Sequence, residues 1–147
     1  MGLLFAHPAL VAELHKVKDC FNVDAIAALA AEQALLDQEH FRQLVRDALE
    51  QRKVLTAACR EFGWTWPDSE ANFLLVDTGS PQRAQDICSG LKKAGILVRH
   101  WSNWPELASK LRISVGNQEE MAAFVTCTRK LLHTLDGAST ACTGEAP

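Results

Sequence analysis

The sequence predicts an α/β fold, and three observations in its second half carry that prediction. Short strand-like runs occur at ANFLLVD (71–77), ILVRH (96–100) and LRISV (111–115), each bounded by turn residues. Apolar residues recur at helical spacing between the first two runs (Ala84, Ile87, Cys88, Leu91) and after the last (Met121, Phe124, Val125, Leu131, Leu132, Leu135). The resulting order, strand–helix–strand–strand–helix, is self-consistent as a two-layer α/β sandwich, because a one-sided sheet and amphipathic helices bury each other's apolar faces.

The elements follow in chain order. MGLLFA at the start is a short apolar run ended by His7-Pro8 and reads as a buried strand. Pro8 then suits the first turn of a helix, with Leu10, Val11, Leu14 and Val17 at helical spacing through about Lys18. Asp24 is placed to N-cap AIAALAAEQALL, whose Ala/Leu composition is strongly helical. A long helix is expected from about Glu39 to Phe62, roughly 35 Å at the α-helical rise, with Gly63 as its left-handed terminator. Trp64 to Trp66 reads as a short strand and Pro67-Asp68-Ser69 as a turn. Ser80-Pro81 caps and opens the next helix, which Gly95 ends. Asn117 with Glu120 three residues later has the logic of a capping box. After Asp136 the tail GASTACTGEAP loses periodicity and is expected to be disordered. The opening MGLLFA run has no nearby strand to pair with, so its partner structure is expected to be missing, either upstream sequence or another chain.

Composition narrows function mainly by exclusion. Net charge is −3 and the pI about 5.9, so no basic footprint for nucleic acid or an anionic membrane is present. No stretch approaches the roughly 20 apolar residues of a membrane span, and the N-terminus lacks the basic region of a signal peptide. The five cysteines are scattered without a C-x-x-C pair, which fits a reducing cytosol and small buried hydrophobes better than a disulfide or zinc framework. The histidines (7, 15, 40, 100, 133) lack metal-ligand spacing, and no phosphate-binding Gly loop, nucleophile elbow or H-E-x-x-H is found.

Two arginines stand apart. Arg112 lies inside LRISV, where it alternates with Leu111 and Ile113, so that it shares the opposite strand face with Ser114. Arg99 ends ILVR just before the loop His100-Trp101-Ser102-Asn103-Trp104-Pro105. Two guanidinium groups near each other on a strand face would hold a phosphate or carboxylate through forked, charge-assisted hydrogen bonds. The alternative is that each pairs with a surface carboxylate or lies in solvent. Trp101 and Trp104 fit either a ligand pocket or packing onto their own domain, and Asn72 either a site or a polar strand start.

EFGWTWPDSEANFLLV (61–76), GILVRHW (95–101) and LRISVGNQEEM (111–121), in that order and spacing, resemble histidinol-phosphate aminotransferases. GLLFAHPALVAELHKVKDCFNV (2–23) resembles the family segment that leaves the large cofactor domain, so the likeness runs through residues 1–136. Cys20 departs from the proline common before Phe-Asn-Val. The resemblance implies the C-terminal small domain of a fold-type I pyridoxal-phosphate transferase, a two-layer α/β sandwich on a small, mostly antiparallel sheet. A strand and helices from the end of the large domain would precede it. On this reading residues 1–37 close the large domain and lead out of it, 38–62 form a connecting helix, 63–136 the small domain and 137–147 a disordered tail.

The same resemblance implies function. The family consists of cytoplasmic homodimers that use pyridoxal 5′-phosphate to convert histidinol phosphate and 2-oxoglutarate to imidazole-acetol phosphate and glutamate, in histidine biosynthesis. Arg99 and Arg112 match the family arginines that bind the substrate's anionic group, and Asn72 in A-N-F matches a residue of the pocket wall. The cofactor-bearing lysine and the arginine gripping the cofactor phosphate match positions before Met1-Gly2, so the resemblance assigns this chain no catalytic or cofactor-binding residue. The expectation is a chain that recognises a phosphorylated amino alcohol or amino acid. It would need its missing large domain, and would neither bind the cofactor nor transaminate alone. The competing expectations are a stand-alone anion-binding module, or part of a related aromatic-amino-acid aminotransferase or threonine-phosphate decarboxylase.

Overall fold

A computed structural model of the chain describes residues 2–140, with side chains to Gly137. The chain divides into two compact units, Met1–Leu44 and Val45–Pro147.

The first unit holds α1 (Pro8–Val17), α2 (Ala25–Leu36) and the opening of α3 (Gln38–Glu61). Their starts are set locally. His7 Nδ1 accepts from Ala9 N, Pro8 takes the first helical position, and Asp24 Oδ1 accepts from Ala27 N at 2.8 Å. No residue of α1 or α2 is buried. The apolar run before α1 departs from expectation: residues 2–6 form no strand, and Leu3, Leu4 and Phe5 are exposed. A strand needs a neighbour to take its backbone hydrogen bonds, and hydrophobicity alone cannot provide one.

The second unit is built on a three-stranded sheet in the order β1-β3-β2, with β1 at Phe73–Asp77, β2 at Arg99–His100 and β3 at Lys110–Ser114. Both pairings are antiparallel, with Leu75 opposite Arg112 and Arg99 opposite Arg112 from the other side. Three helical segments share one core with the inner face of the sheet. Leu55 and Cys59 come from α3, Ala84, Ile87 and Leu91 from α4 (Pro81–Lys93), and Met121, Phe124 and Leu132 from α5 (Gln118–Thr140). They meet Leu74, Val76, Leu111 and Ile113, the alternate residues of β1 and β3. The two-layer α/β sandwich with an antiparallel sheet is as expected.

Chain reversals explain why the helices stop where they do. At the end of α3, Gly63 N donates to Arg60 O and Trp64 N to Cys59 O; at the end of α4, Gly95 N donates to Lys92 O and Ile96 N to Leu91 O. Both are Schellman closures, and each requires a left-handed residue, here Gly63 (φ 73°) and Gly95 (φ 81°). At the start of α5 the capping box closes in both directions, Glu120 N to Asn117 Oδ1 at 2.9 Å and Asn117 N to Glu120 Oε2 at 2.8 Å.

Several expectations need correction. ILVRH contributes only Arg99–His100 to the sheet, so residues 96–98 run beside β3 without joining it. The strand expected at Trp64–Trp66 is a single bridge between Thr65 and Asp77. Residues 137–140, expected in the disordered tail, continue α5, and 141–147 lie outside the described residues. Among the cysteines, Cys59 is buried, Cys88 and Cys127 are half-buried, and Cys20 is exposed rather than packed; Cys142 lies outside the described residues. No helix among the described residues is long and apolar enough to cross a membrane.

Candidate anion-binding site

The outer face of the sheet carries the residues that alternate with the core: Phe73 and Leu75 on β1, Arg112 and Ser114 on β3, and Arg99 on β2. Strand periodicity places Arg112 there, and register places Arg99 beside it. Directly opposed residues of an antiparallel pair sit on one face with Cβ atoms about 5 Å apart. Like charges so placed repel and destabilise a sheet, so the fold itself gains nothing from this pair.

The surroundings do not neutralise it. Elsewhere in this unit arginines meet carboxylates: Arg83 and Asp136 at 2.8 Å, Arg129 and Glu61 at 2.7 Å, Arg52 and Glu70 at 4.0 Å. Arg99 and Arg112 have no carboxylate partner among the described residues. Aromatic rings support them instead. The Arg112 guanidinium carbon lies 4.3 Å from the centroid of the Phe73 ring, and that of Arg99 lies 5.5 Å from the centroid of the Trp101 ring. Such contacts hold a cation in place while leaving its hydrogen-bond donors for another acceptor. Arg112 Nε is buried and has no hydrogen-bond partner among the described residues. A buried donor on a charged group costs more than an exposed one to leave unmet.

Both arginines line an open groove of about 560 Å³ together with Ser114 of β3 and with Cys88 and Lys92 of α4. His100 also lines it, and its Nε2 lies 2.8 Å from the Ala108 carbonyl, which ties β2 to the end of the loop carrying Trp101. Trp101 is half-buried against this site, whereas Trp104 is exposed and starts the short 3-10 turn Pro105–Leu107.

Asn72 is not brought to the arginine pair. Its side chain is exposed and lines a separate depression with Val45, Leu49, Arg52 and Val115, while its carbonyl accepts from Val115 N at 2.9 Å. Alternation had already placed Ser114 on the face of Arg112, whereas the contributions of Phe73 and Lys92 were not anticipated from sequence. Strand alternation could have signalled Phe73, but Lys92 depends on how α4 lies against β2. No group of three or more potential metal ligands occurs among the described residues.

Comparison with known proteins gives this face a setting. The family model for aminotransferase class I and II matches residues 1–127. The histidinol-phosphate aminotransferase of Geobacter sp. is 41% identical over 132 residues, covering 89% of this chain and 37% of that protein. Histidinol-phosphate aminotransferase 1 of Nostoc sp. is 36% identical over 137 residues, covering 92% and 38%. The chain thus spans little more than a third of the length of these curated relatives. Among solved structures, histidinol-phosphate aminotransferase from Sinorhizobium meliloti, in complex with pyridoxal-5′-phosphate, superposes with a TM-score of 0.79 at 24% identity. That match covers 87% of this chain and 35% of the other, and it shows a shared fold.

Proposed function

This chain belongs to the aminotransferase class I and II family, and we propose that its second unit is the substrate-recognising arm of a histidinol-phosphate aminotransferase. The reaction assigned to the whole protein is transfer of an amino group from histidinol phosphate to 2-oxoglutarate, giving imidazole-acetol phosphate and glutamate. Arg99 and Arg112 receive the substrate's anionic end, the phosphate of histidinol phosphate or the carboxylate of the acceptor acid. Asn72 belongs to the outer wall of the same enzyme's pocket. We assign the protein to the cytoplasm, as a homodimer when whole.

One observation carries the reading: two guanidinium groups stand in cross-strand register without a carboxylate between them, and one holds a buried, unmet donor. An oxyanion that offers two acceptor oxygens answers both facts at once, since it neutralises the repulsion and accepts from guanidinium nitrogens. Ser114 adds a hydroxyl in the same groove.

We assign none of the described residues to pyridoxal phosphate. Lys110, on this face of the sheet, is already engaged, donating to the Glu106 carbonyl at 2.9 Å and pairing with Asp77 at 3.3 Å, and Lys92 in the groove is assigned to the anion. Cofactor chemistry is therefore assigned to the part of the enzyme that this chain does not match. What these residues do is bind and orient. Held from the sheet, a substrate anion is fixed at one end, which reduces the freedom its reacting end must lose.

Titrating inorganic phosphate into the 147-residue chain, with amide shifts followed by NMR, tests the reading. Shifts centred on residues 99 and 112–114 are expected. Arg99→Gln and Arg112→Gln should each weaken binding by about 10-fold, while Arg83→Gln, whose partner is Asp136, should not. Arg99 is exposed and its loss does not threaten the core. Unchanged affinity in both groove variants would overturn the assignment.

A further inference from the structure

We infer that Lys92 is a third cation of the anion groove and sets its preference for a doubly charged phosphate over a singly charged carboxylate. The inference rests on the anion-binding role of Arg99 and Arg112 just described.

Lys92 reaches the groove through a local device. It lies in the last turn of α4, where the Schellman closure on Gly95 reverses the chain and sends it straight into residues 96–98 and β2. Lys92 O is itself part of that closure, accepting from Gly95 N at 3.1 Å. One turn earlier, the Cys88 thiol meets the Val98 carbonyl at 3.8 Å, so the last two turns of α4 lie along the segment that leads into Arg99. Lys92 therefore lines the same groove as Arg99, Arg112 and Ser114, and its ammonium has no acidic partner among the described residues.

Charge arithmetic gives the consequence. Two guanidinium groups already balance a phosphate dianion, but they donate from one side, the sheet. A phosphate presents three peripheral oxygens, whereas a carboxylate presents two in a plane that one forked guanidinium can saturate. A compact ammonium on a flexible stem suits the extra oxygen, since it binds as a point charge without demanding planarity. It adds little for a carboxylate whose oxygens are already met.

Lysine at a helix C-terminus has a competing explanation, because it complements the negative end of the helix dipole. Lys93 supplies the comparison: it shares the last turn of α4, so it should interact with the dipole in the same way, yet it does not line the groove. The test uses the full chain with inorganic phosphate and with acetate as probes. It is done at about pH 8, where phosphate is doubly charged, and affinities are read from NMR titrations. Lys92→Met should weaken phosphate by about 3- to 5-fold, as for a solvent-exposed ion pair, and leave acetate unchanged. Lys93→Met should change neither, and Lys92→Arg should retain most of the phosphate affinity. Equal effects of Lys92→Met and Lys93→Met, or equal losses for both anions, would overturn the role of Lys92. In that case Arg112→Gln still reports on the underlying site: if it weakens both anions the arginine pair stands, and if it weakens neither the whole anion site falls.

Discussion

Asp77 ends β1 and holds the turn after it. Its carboxylate accepts from Gly79 N at 2.9 Å and Ser109 Oγ at 3.1 Å, and Lys110 Nζ stands 3.3 Å away. The Gly79 amide foremost, with the Ser109 hydroxyl and Lys110, holds this carboxyl below the usual aspartate range although burial pushes it up. A carboxyl whose pKa is lowered by folding stabilises the protein above its unfolded pKa, about 3.9, and loses that contribution as pH falls through the folded value. Asp77→Asn should therefore destabilise the chain by about 1 kcal/mol at pH 7, a figure kept small because the side chain is part exposed. The difference from the natural chain should shrink in urea unfolding below about pH 4; a difference that persists in acid would refute the electrostatic account. Cys59 shows the opposite environment: burial pushes its thiol up to about 12, so it packs as a small neutral hydrophobe. At this scale alternation made the direction of Arg112 legible. The pairing of Arg99 with Arg112 was not, because register depends on a loop whose path no local rule dictates.

The α4–α5 contact raises a question at the scale of elements. Gly90 sits in the interior of α4, where glycine costs about 1 kcal/mol relative to alanine. A Cβ at this position would lie 2.6 and 2.7 Å from the two methyl carbons of Leu131 on α5. Close approach of the helices therefore sets the residue here. Because the obstruction is the far end of a flexible side chain, Leu131 can turn aside at a cost comparable to the helical gain. Gly90→Ala alone is expected to be nearly neutral. In a Leu131→Ala background the same change should stabilise by about 1 kcal/mol. Thermal unfolding of the four proteins of this double-mutant cycle checks it, and additive effects would mean that the two residues do not compete for space. Helix caps and terminators were readable from a few residues each: Asp24, Ser80, Asn117 with Glu120, Gly63 and Gly95 all act where expected. Strand extents were not, since Ile96, Leu97 and Val98 have strand composition and still remain outside the ladder.

At the scale of the whole molecule the two units differ in what holds them. In residues 45–137 a core of fully buried side chains, among them Leu55, Leu74, Ile87, Leu91, Leu111 and Phe124, resists local opening. In α1 and α2 nothing is buried, and Phe5, Val17, Phe21 and Ile26 are each at least 80% exposed. Short helices without a buried face are marginal in water. Amide exchange should be faster in α1 and α2 than in β3 and α4 by several orders of magnitude, and limited proteolysis should cut first between residues 8 and 36. Equal protection across both units would show that the apolar surface of the first is covered in solution.

Local sequence was enough for the α/β class, the helix starts and the polar face on which Arg112 lies. These depend on periodicity and on hydrogen bonds that close within a few residues. It took the folded chain to set Arg99 opposite Arg112, to bring Lys92 to their groove, to line a separate depression with Asn72 and to leave residues 2–6 without a strand. Those outcomes depend on which distant segment supplies a backbone or charge partner, and partnership is a property of the folded chain rather than of any window within it.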